Sequence, residues 1–196
     1  NYFIVEEGDV DSFIESYNKR MAKNFTVLTD EEKALVESFC NEIKGDSYDP
    51  ICRLYDQIWF IAPLFRLSEN QIKAYGKSYT YCFTVESSIP LMKSGHAVEL
   101  STIFNHPENI QFTGRAFDET FSKTMRKMWV QFAKTGNPSL SAEFSPDGKA
   151  HEWPLYNLED KEIMIFDEFN IHPEKESERK ILDWERCYFL TKYFCL

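Results

Sequence analysis

The chain is best understood from eight residues near its middle, Lys93-Ser94-Gly95-His96-Ala97-Val98-Glu99-Leu100. In the preceding residues, 78–85, large apolar side chains alternate with small ones, and this period of two predicts a β-strand. Turn-forming residues between this run and the quoted segment put His96 on a loop beyond the carboxyl end of the strand, where α/β sheets carry their chemistry. Histidine exchanges protons near neutral pH, so His96 is the first candidate for a catalytic group, although a loop histidine without any role fits the same pattern.

The composition indicates a globular protein with a substantial core. Hydrophobic residues make up 43% of the 196 residues and aromatic residues 16%, and the length fits one domain or two small ones. The net charge of −10 argues against a nucleic-acid-binding surface. No apolar run reaches the length of a membrane span.

The five cysteines are scattered, odd in number and without Cys-x-x-Cys spacing: Cys40, Cys52, Cys82, Cys187 and Cys195. This pattern favours neither a disulfide framework nor a metal site. We expect small buried apolar groups in a reducing compartment, hence a cytoplasmic protein, and no cofactor.

The first 76 residues are predicted to be mostly helical. Asp9 can cap the first of them. Thr29 and Glu32 form a capping box for a second helix, which is expected to end at Gly45. A third helix begins at Asp49-Pro50.

Pro63 is expected to kink or split this third helix, because proline lacks the N–H that the helical ladder needs. The continuation, residues 64–75, should end at Gly76.

Beyond the histidine segment, residues 117–135 form a long predicted helix, which Gly136-Asn137-Pro138 should end. Residues 139–151 read as a loop, and residues 162–166 as a short strand. Pro173 is expected to precede a final helix that runs to the C-terminus.

Three segments together resemble the type B carboxylesterases, which include the para-nitrobenzyl esterases and, more distantly, the cholinesterases. The first is His96, two residues and then Glu99-Leu100, with Ile103-Phe104 after it. The second is Trp-Val-Gln-Phe-Ala-Lys-Thr-Gly-Asn-Pro-Ser at positions 129–139, and the third is Trp153-Pro154-x-Tyr156. The resemblance covers about residues 78–172, with the segments in the family's order.

The resemblance implies an α/β fold class, namely the C-terminal portion of an α/β-hydrolase fold, mostly helical with a few sheet strands. Residues 1–76 would be a helical covering segment, and residues 77–196 would hold the last sheet strands, the histidine loop and the C-terminal helices. In that fold the triad order is serine, acid, histidine. No Gly-x-Ser-x-Gly occurs in the chain, so we expect the serine and the acid upstream and the isolated chain to be inactive. The unpaired sheet edge should then associate with the missing N-terminal part or with a second copy.

By the same resemblance, His96 is the catalytic general base of a serine carboxylesterase acting on a small-molecule ester, and Glu99 supports it from the same face of a short helix. A solvated helix residue is the other interpretation of Glu99. Two alternative functions stay open: a non-catalytic binding or adhesion module of the same fold, and a free-standing helical domain with only local similarity.

The other histidines are weaker candidates. His106 and His172 each precede a proline and are interpreted as loop residues, and His151 lies in a polar loop without a partner motif.

Overall fold

The computed structural model describes residues 29–42, 53, 56–89, 92–106 and 110–179 of the chain. These residues belong to two compact units, one that ends at Leu67 and one that comprises Ser68–Arg179. The helix predicted from Asp9, the helix start at Asp49-Pro50 and the segment after residue 179 lie outside the described residues. The functional division into residues 1–76 and 77–196 stays a prediction.

Helix α1 (Asp30–Glu42) begins with the predicted capping box. The Glu32 backbone N–H donates to Thr29 Oγ1 at 3.2 Å, and the Thr29 N–H donates to Glu32 Oε2 at 2.8 Å. These two bonds satisfy backbone donors that a helix start otherwise leaves unpaired. Val36 and Phe39 are buried, as the helical period predicts.

The interruption predicted at Pro63 takes the form of a π-helical turn, Gln57–Ile61, which precedes helix α2 (Ala62–Tyr75). The Ala62 N–H donates to the Gln57 carbonyl, one residue farther back than in an α-helix. Wider turns of this kind accommodate residues that cannot join the regular ladder. Helix α2 ends as predicted, with Gly76 at φ +79° and its N–H on the Ile72 carbonyl.

A three-stranded sheet of order β1-β2-β3 forms the centre of the second unit. Strand β1 (Tyr81–Phe83) runs parallel to β2 (Glu162–Asp167), and β2 runs antiparallel to β3 (Asn170–Lys175). The predicted strand at 78–85 is therefore only three residues long. Its ladder continues on each side through single bonds, Met164 N–H to Thr80 O and Thr84 N–H to Phe166 O, both at 3.0 Å.

Strand β3 was not predicted from the sequence; the helix predicted after Pro173 begins just beyond this strand, at Glu176, and its continuation past residue 179 lies outside the described residues. Pro173 lies inside β3, opposite Met164, and only Glu176–Arg179 (α6) is helical among the described residues that follow. Proline is tolerated there because β3 lies at the edge of the described sheet, where one side of the strand needs no N–H donors. His172 is consequently a strand residue and not a loop residue.

Two short helices, α3 (Leu100–Phe104) and α4 (Ile110–Thr113), follow the histidine segment. Helix α5 (Glu119–Thr135) then begins two residues later than predicted, because the Asp118 carboxylate caps it by accepting from the Phe121 N–H at 2.8 Å. It ends at Gly136, φ +74°, as predicted. No helix in the described ranges has both the length and the apolar character needed to cross a membrane.

The core of the second unit lies between α5 and the sheet. Its buried members are Val85, Phe121, Met125, Met128, Leu140, Trp153, Met164 and Phe166. Phe132, which the helical period assigns to the same face, is 49% exposed.

An aromatic cluster brings two of the three family-like segments to strand β1. The ring centroids of Tyr81 and Trp129 are 5.2 Å apart, those of Trp129 and Trp153 5.3 Å, and those of Trp153 and Phe166 5.2 Å. The Trp153 indole N–H also donates to the Thr80 carbonyl at 3.1 Å. The strand that leads to His96 is thus fixed by side chains from the second and third segments.

Candidate functional site

The histidine loop, which we define as residues 84–99, connects β1 to α3 and is folded by bonds within its own backbone. The Ser87 N–H donates to the Lys93 carbonyl at 2.8 Å, and the Gly95 N–H donates to the Met92 carbonyl at 2.9 Å. A further bond of 3.2 Å, from the Val98 N–H to the Gly95 carbonyl, closes a turn around His96. Val98 is fully buried while His96, two residues before it, is exposed, so a buried side chain anchors the turn that presents the imidazole to solvent.

His96 and Glu99 do not share a helix face, contrary to the prediction. Ala97, between them, has φ +69°, a left-handed conformation that a right-handed helix cannot contain. Helix α3 begins only at Leu100, with Glu99 as its N-cap residue. The two candidates therefore lie in consecutive turns.

Glu99 instead contacts the strand that precedes the loop. The Tyr81 hydroxyl donates to Glu99 Oε1 at 3.4 Å, and Glu99 is half-buried. Burial raises the pKa of Tyr81, and the neighbouring Glu99 carboxylate raises it further, so the phenol stays protonated and able to donate. Glu99 thus has a partner within the protein, and its supporting role in catalysis stays a prediction.

Helix α3 is held from the other side by α5. Arg126 donates from Nη1 to the Thr102 carbonyl at 3.0 Å. Thr102 itself is buried. The far end of the histidine loop is therefore attached both to β1 and to the long helix of the core.

The structure assigns the other histidines to three different settings. His106 is exposed in coil after α3, as predicted. His172 lies on β3, where Nδ1 is 3.0 Å from the Asn170 carbonyl oxygen and Nε2 is 3.5 Å from Glu174 Oε2.

His151, predicted to lie in a polar loop and without a partner motif in the sequence, is buried and paired. Its Nε2 lies 2.9 Å from Asp147 Oδ2, and its backbone forms a bridge with Leu140. Burial alone would raise the pKa of Asp147, but hydrogen bonds from Ser145, the Lys149 N–H and His151 outweigh it and lower that pKa. The spacing of four residues across the turn at Gly148 was the available signal for this pair.

A cleft of about 210 Å³ opens beside this pair. Its walls come from the start of α5, the loop that contains Asp147 and His151, and the β2–β3 turn; His96 is not among the lining residues. In the part of the chain that the structure describes, no three His, Cys, Asp or Glu side chains are placed to bind a metal ion together.

The sequence matches the carboxylesterase family over residues 6–184. Among similar proteins, the bile salt-activated lipase of Bos taurus is 34% identical over 114 residues, which are 55% of this chain and 18% of that protein. The para-nitrobenzyl esterase of Bacillus subtilis is 35% identical over 96 residues, 46% of this chain and 18% of that protein.

Two solved structures have the same fold. A PNB esterase superposes with a TM-score of 0.60 at 20% identity, covering 84% of this chain and 36% of its own. A carboxylesterase from Geobacillus stearothermophilus superposes with a TM-score of 0.60 at 21% identity, covering 90% of this chain and 38% of its own. The matched region is thus less than two fifths of the length of each of these relatives.

Proposed function

The chain belongs to the carboxylesterase family and has part of the α/β-hydrolase fold, and from this premise we propose that it supplies the catalytic histidine, His96, of a serine carboxylesterase acting on small carboxylic esters. Because the family match extends over residues 6–184, it excludes the alternative of a free-standing helical domain with only local similarity.

One observation carries the proposal: the exposed imidazole of His96 lies in a turn after β1, within the His-x-x-Glu-Leu segment that resembles the family's histidine segment. A general base must reach solvent or substrate, and a ring enclosed in apolar packing could not do so. The anchoring of the loop at Val98 and Glu99 would hold such a ring in a fixed position.

In the proposed reaction, His96 removes the proton from a serine hydroxyl as that hydroxyl attacks the ester carbonyl. It then returns a proton to the departing alcohol, and it repeats the cycle with water to release the acid. A serine hydroxyl is a poor nucleophile at neutral pH without such a base. A carboxylate would orient the imidazole and stabilise its protonated form.

The serine and that carboxylate are proposed to come from other parts of the protein. This sequence contains no Gly-x-Ser-x-Gly segment, and it matches only 18% of the length of the para-nitrobenzyl esterase. Glu99 is proposed to support the histidine indirectly, by holding the end of the loop against Tyr81.

The sheet supports a proposal about association. Among the described strands, β1 pairs with β2 alone. The N–H and C=O groups along an unpaired strand edge can pair with another strand, so we propose that the edge of β1 opposite β2 binds the rest of the protein or a second copy. Light scattering of the isolated chain should show association, and a compact, well-behaved monomer would contradict this.

The experiment for the proposed function is a chromogenic short-chain ester assay on the intact protein and on this chain alone. We expect turnover by the intact protein and none by the chain. Turnover by the chain alone that His96→Ala abolishes would contradict the assignment of the serine to another part. No turnover by the intact protein would favour the binding or adhesion module.

A further inference from the structure

We propose that Glu168, in the turn between β2 and β3, is a positioning residue for His96, because it holds the segment 113–115 to which the start of the histidine loop is bound. The inference rests on the proposed function, since positioning matters for catalysis only if His96 is the general base. Nothing in the sequence pattern singles out Glu168.

The Glu168 carboxylate binds Arg115 through both of its oxygens. Arg115 donates from Nη1 to Oε1 at 3.0 Å and from Nη2 to Oε2 at 2.6 Å. The Glu168 side chain is only 8% exposed, and its Oε1 also accepts from the Asp118 N–H at 2.6 Å. Paired, charge-assisted bonds of this kind fix the plane of the guanidinium as well as its distance.

The environment keeps this carboxylate charged. Burial would raise the pKa of Glu168, but the hydrogen bonds from Arg115 and the Asp118 N–H outweigh it and lower the pKa. At neutral pH the pair is therefore an ion pair rather than a bond between neutral groups.

The same guanidinium reaches the histidine loop. Arg115 Nη2 donates to the Glu86 carbonyl at 3.4 Å, and its central carbon lies 4.7 Å from the centre of the Phe117 ring. Arg115 therefore connects the β2–β3 turn to a residue near the start of the loop.

The neighbouring backbone binds the loop start more tightly. The Thr113 carbonyl accepts from the Ser88 N–H at 2.8 Å and from Ser87 Oγ at 3.0 Å. Gly114 has φ +66°, and a Cβ on it would lie 2.3 Å from Ser88 Oγ. The two backbones are thus in direct contact, so a shift of residues 113–115 must shift Ser87 and Ser88.

The loop transmits such a shift toward the imidazole. The Ser87 N–H holds the Lys93 carbonyl, and the turns that follow lead through Gly95 to Val98. A displacement of about 1 Å at a catalytic group lowers rates roughly a hundredfold. The carboxylate of Glu168 is the one group that binds Arg115 by an ion pair among the residues described.

The test uses the intact protein with Glu168→Gln and the charge-matched control Glu119→Gln. Glu119 lies in the first turn of α5, is 80% exposed and pairs with Lys123. We expect Glu168→Gln to lower kcat about tenfold or more with KM within about twofold, as expected for lost positioning of a catalytic group. Hydrogen–deuterium exchange should rise in peptides that span residues 86–99, and Glu119→Gln should change neither quantity.

Several results would overturn the proposal. One is a kcat within about twofold of wild type together with unchanged exchange in residues 86–99. Another is exchange that rises equally throughout the protein, which would mark a general loss of stability. If Glu168→Gln does not fold, Arg115→Lys retains the charge but not the paired bonds, and it should give the same loop-specific effect. An active His96→Ala would refute the proposed function, whereas the exchange measurement would still decide whether Glu168 holds the loop.

Discussion

The hydroxyl of Tyr81 donates to Glu99 Oε1 at 3.4 Å, which ties strand β1 to the last residue of the histidine loop. The residues are 18 apart in the chain, and His96 lies between them. The ring of Tyr81 is in turn fixed by Trp129 and Trp153, whose centroids lie 5.2 Å and 6.0 Å away. The last residue of the loop that carries the candidate base is therefore bound to a tyrosine that is packed against two tryptophan rings.

Replacing Tyr81 by phenylalanine should destabilise the protein by about 0.5–1.5 kcal/mol, the usual net value of one hydrogen bond. The variant keeps the ring in the aromatic cluster and removes only the donor to Glu99. Urea unfolding followed by tryptophan fluorescence measures the change. Tyr79→Phe is the matched control, since Tyr79 packs on Phe132 and Trp153 through its ring. An equal loss in both variants would show that the bond to Glu99 contributes nothing.

Gly114→Ala should cost more stability than Gly148→Ala. Both positions have positive φ, +66° and +71°, so both variants share the strain of a left-handed backbone. Only at Gly114 does the new Cβ meet other atoms, Ser88 Oγ at 2.3 Å and Ile89 Cγ1 at 2.9 Å. Overpacking of this kind adds about 1–3 kcal/mol.

Thermal or urea unfolding of the two glycine variants gives this difference directly. Equal losses would mean that the histidine loop moves away from residue 114 without cost, which would also weaken the argument that residues 113–115 hold it.

Acid should destabilise the protein through Glu168 and Asp147. The folded-state pKa of each is lowered from its ordinary value, 4.5 for glutamate and 3.8 for aspartate. A lowered pKa contributes stability above the ordinary value, and that contribution is lost as the pH falls through the folded-state value. The free energy of unfolding should therefore decline as the pH drops below 4.5.

Glu168→Gln should flatten part of this decline, because the residue can no longer take up a proton. Glu143→Gln, at an exposed loop position, is the control for the change in charge. Identical pH profiles for wild type and Glu168→Gln would contradict the assignment of the acid-sensitive contribution to Glu168.

Features set by neighbouring residues could be predicted from the sequence. The capping box of Thr29 and Glu32 depends on a spacing of three residues, and Gly136 ends α5 because glycine accepts a positive φ. Strand β2 could be predicted because Ile163 to Phe166 form an uninterrupted apolar run. The structure shows all four of these residues buried. The family segments added the fold, which no local pattern contains.

Features set by distant residues were missed. Strand β3 contains Pro173 and few strand-forming residues, and it exists because it pairs with β2. The burial of His151 was not predicted either, and the pairing of Arg115 with Glu168 joins residues 53 apart in the chain. The predicted shared helix face of His96 and Glu99 failed at one backbone angle, the positive φ of Ala97.

The central measurement is kcat/KM for a short-chain chromogenic ester, compared between the intact protein, His96→Ala and His106→Ala. Both histidines are exposed and in non-helical segments, so the two variants are matched in their effect on packing. The general-base role predicts that His96→Ala lowers kcat/KM by about a thousandfold or more, while folding is unchanged and His106→Ala retains wild-type activity. A His96→Ala protein that hydrolyses the ester at the rate of His106→Ala would contradict the account.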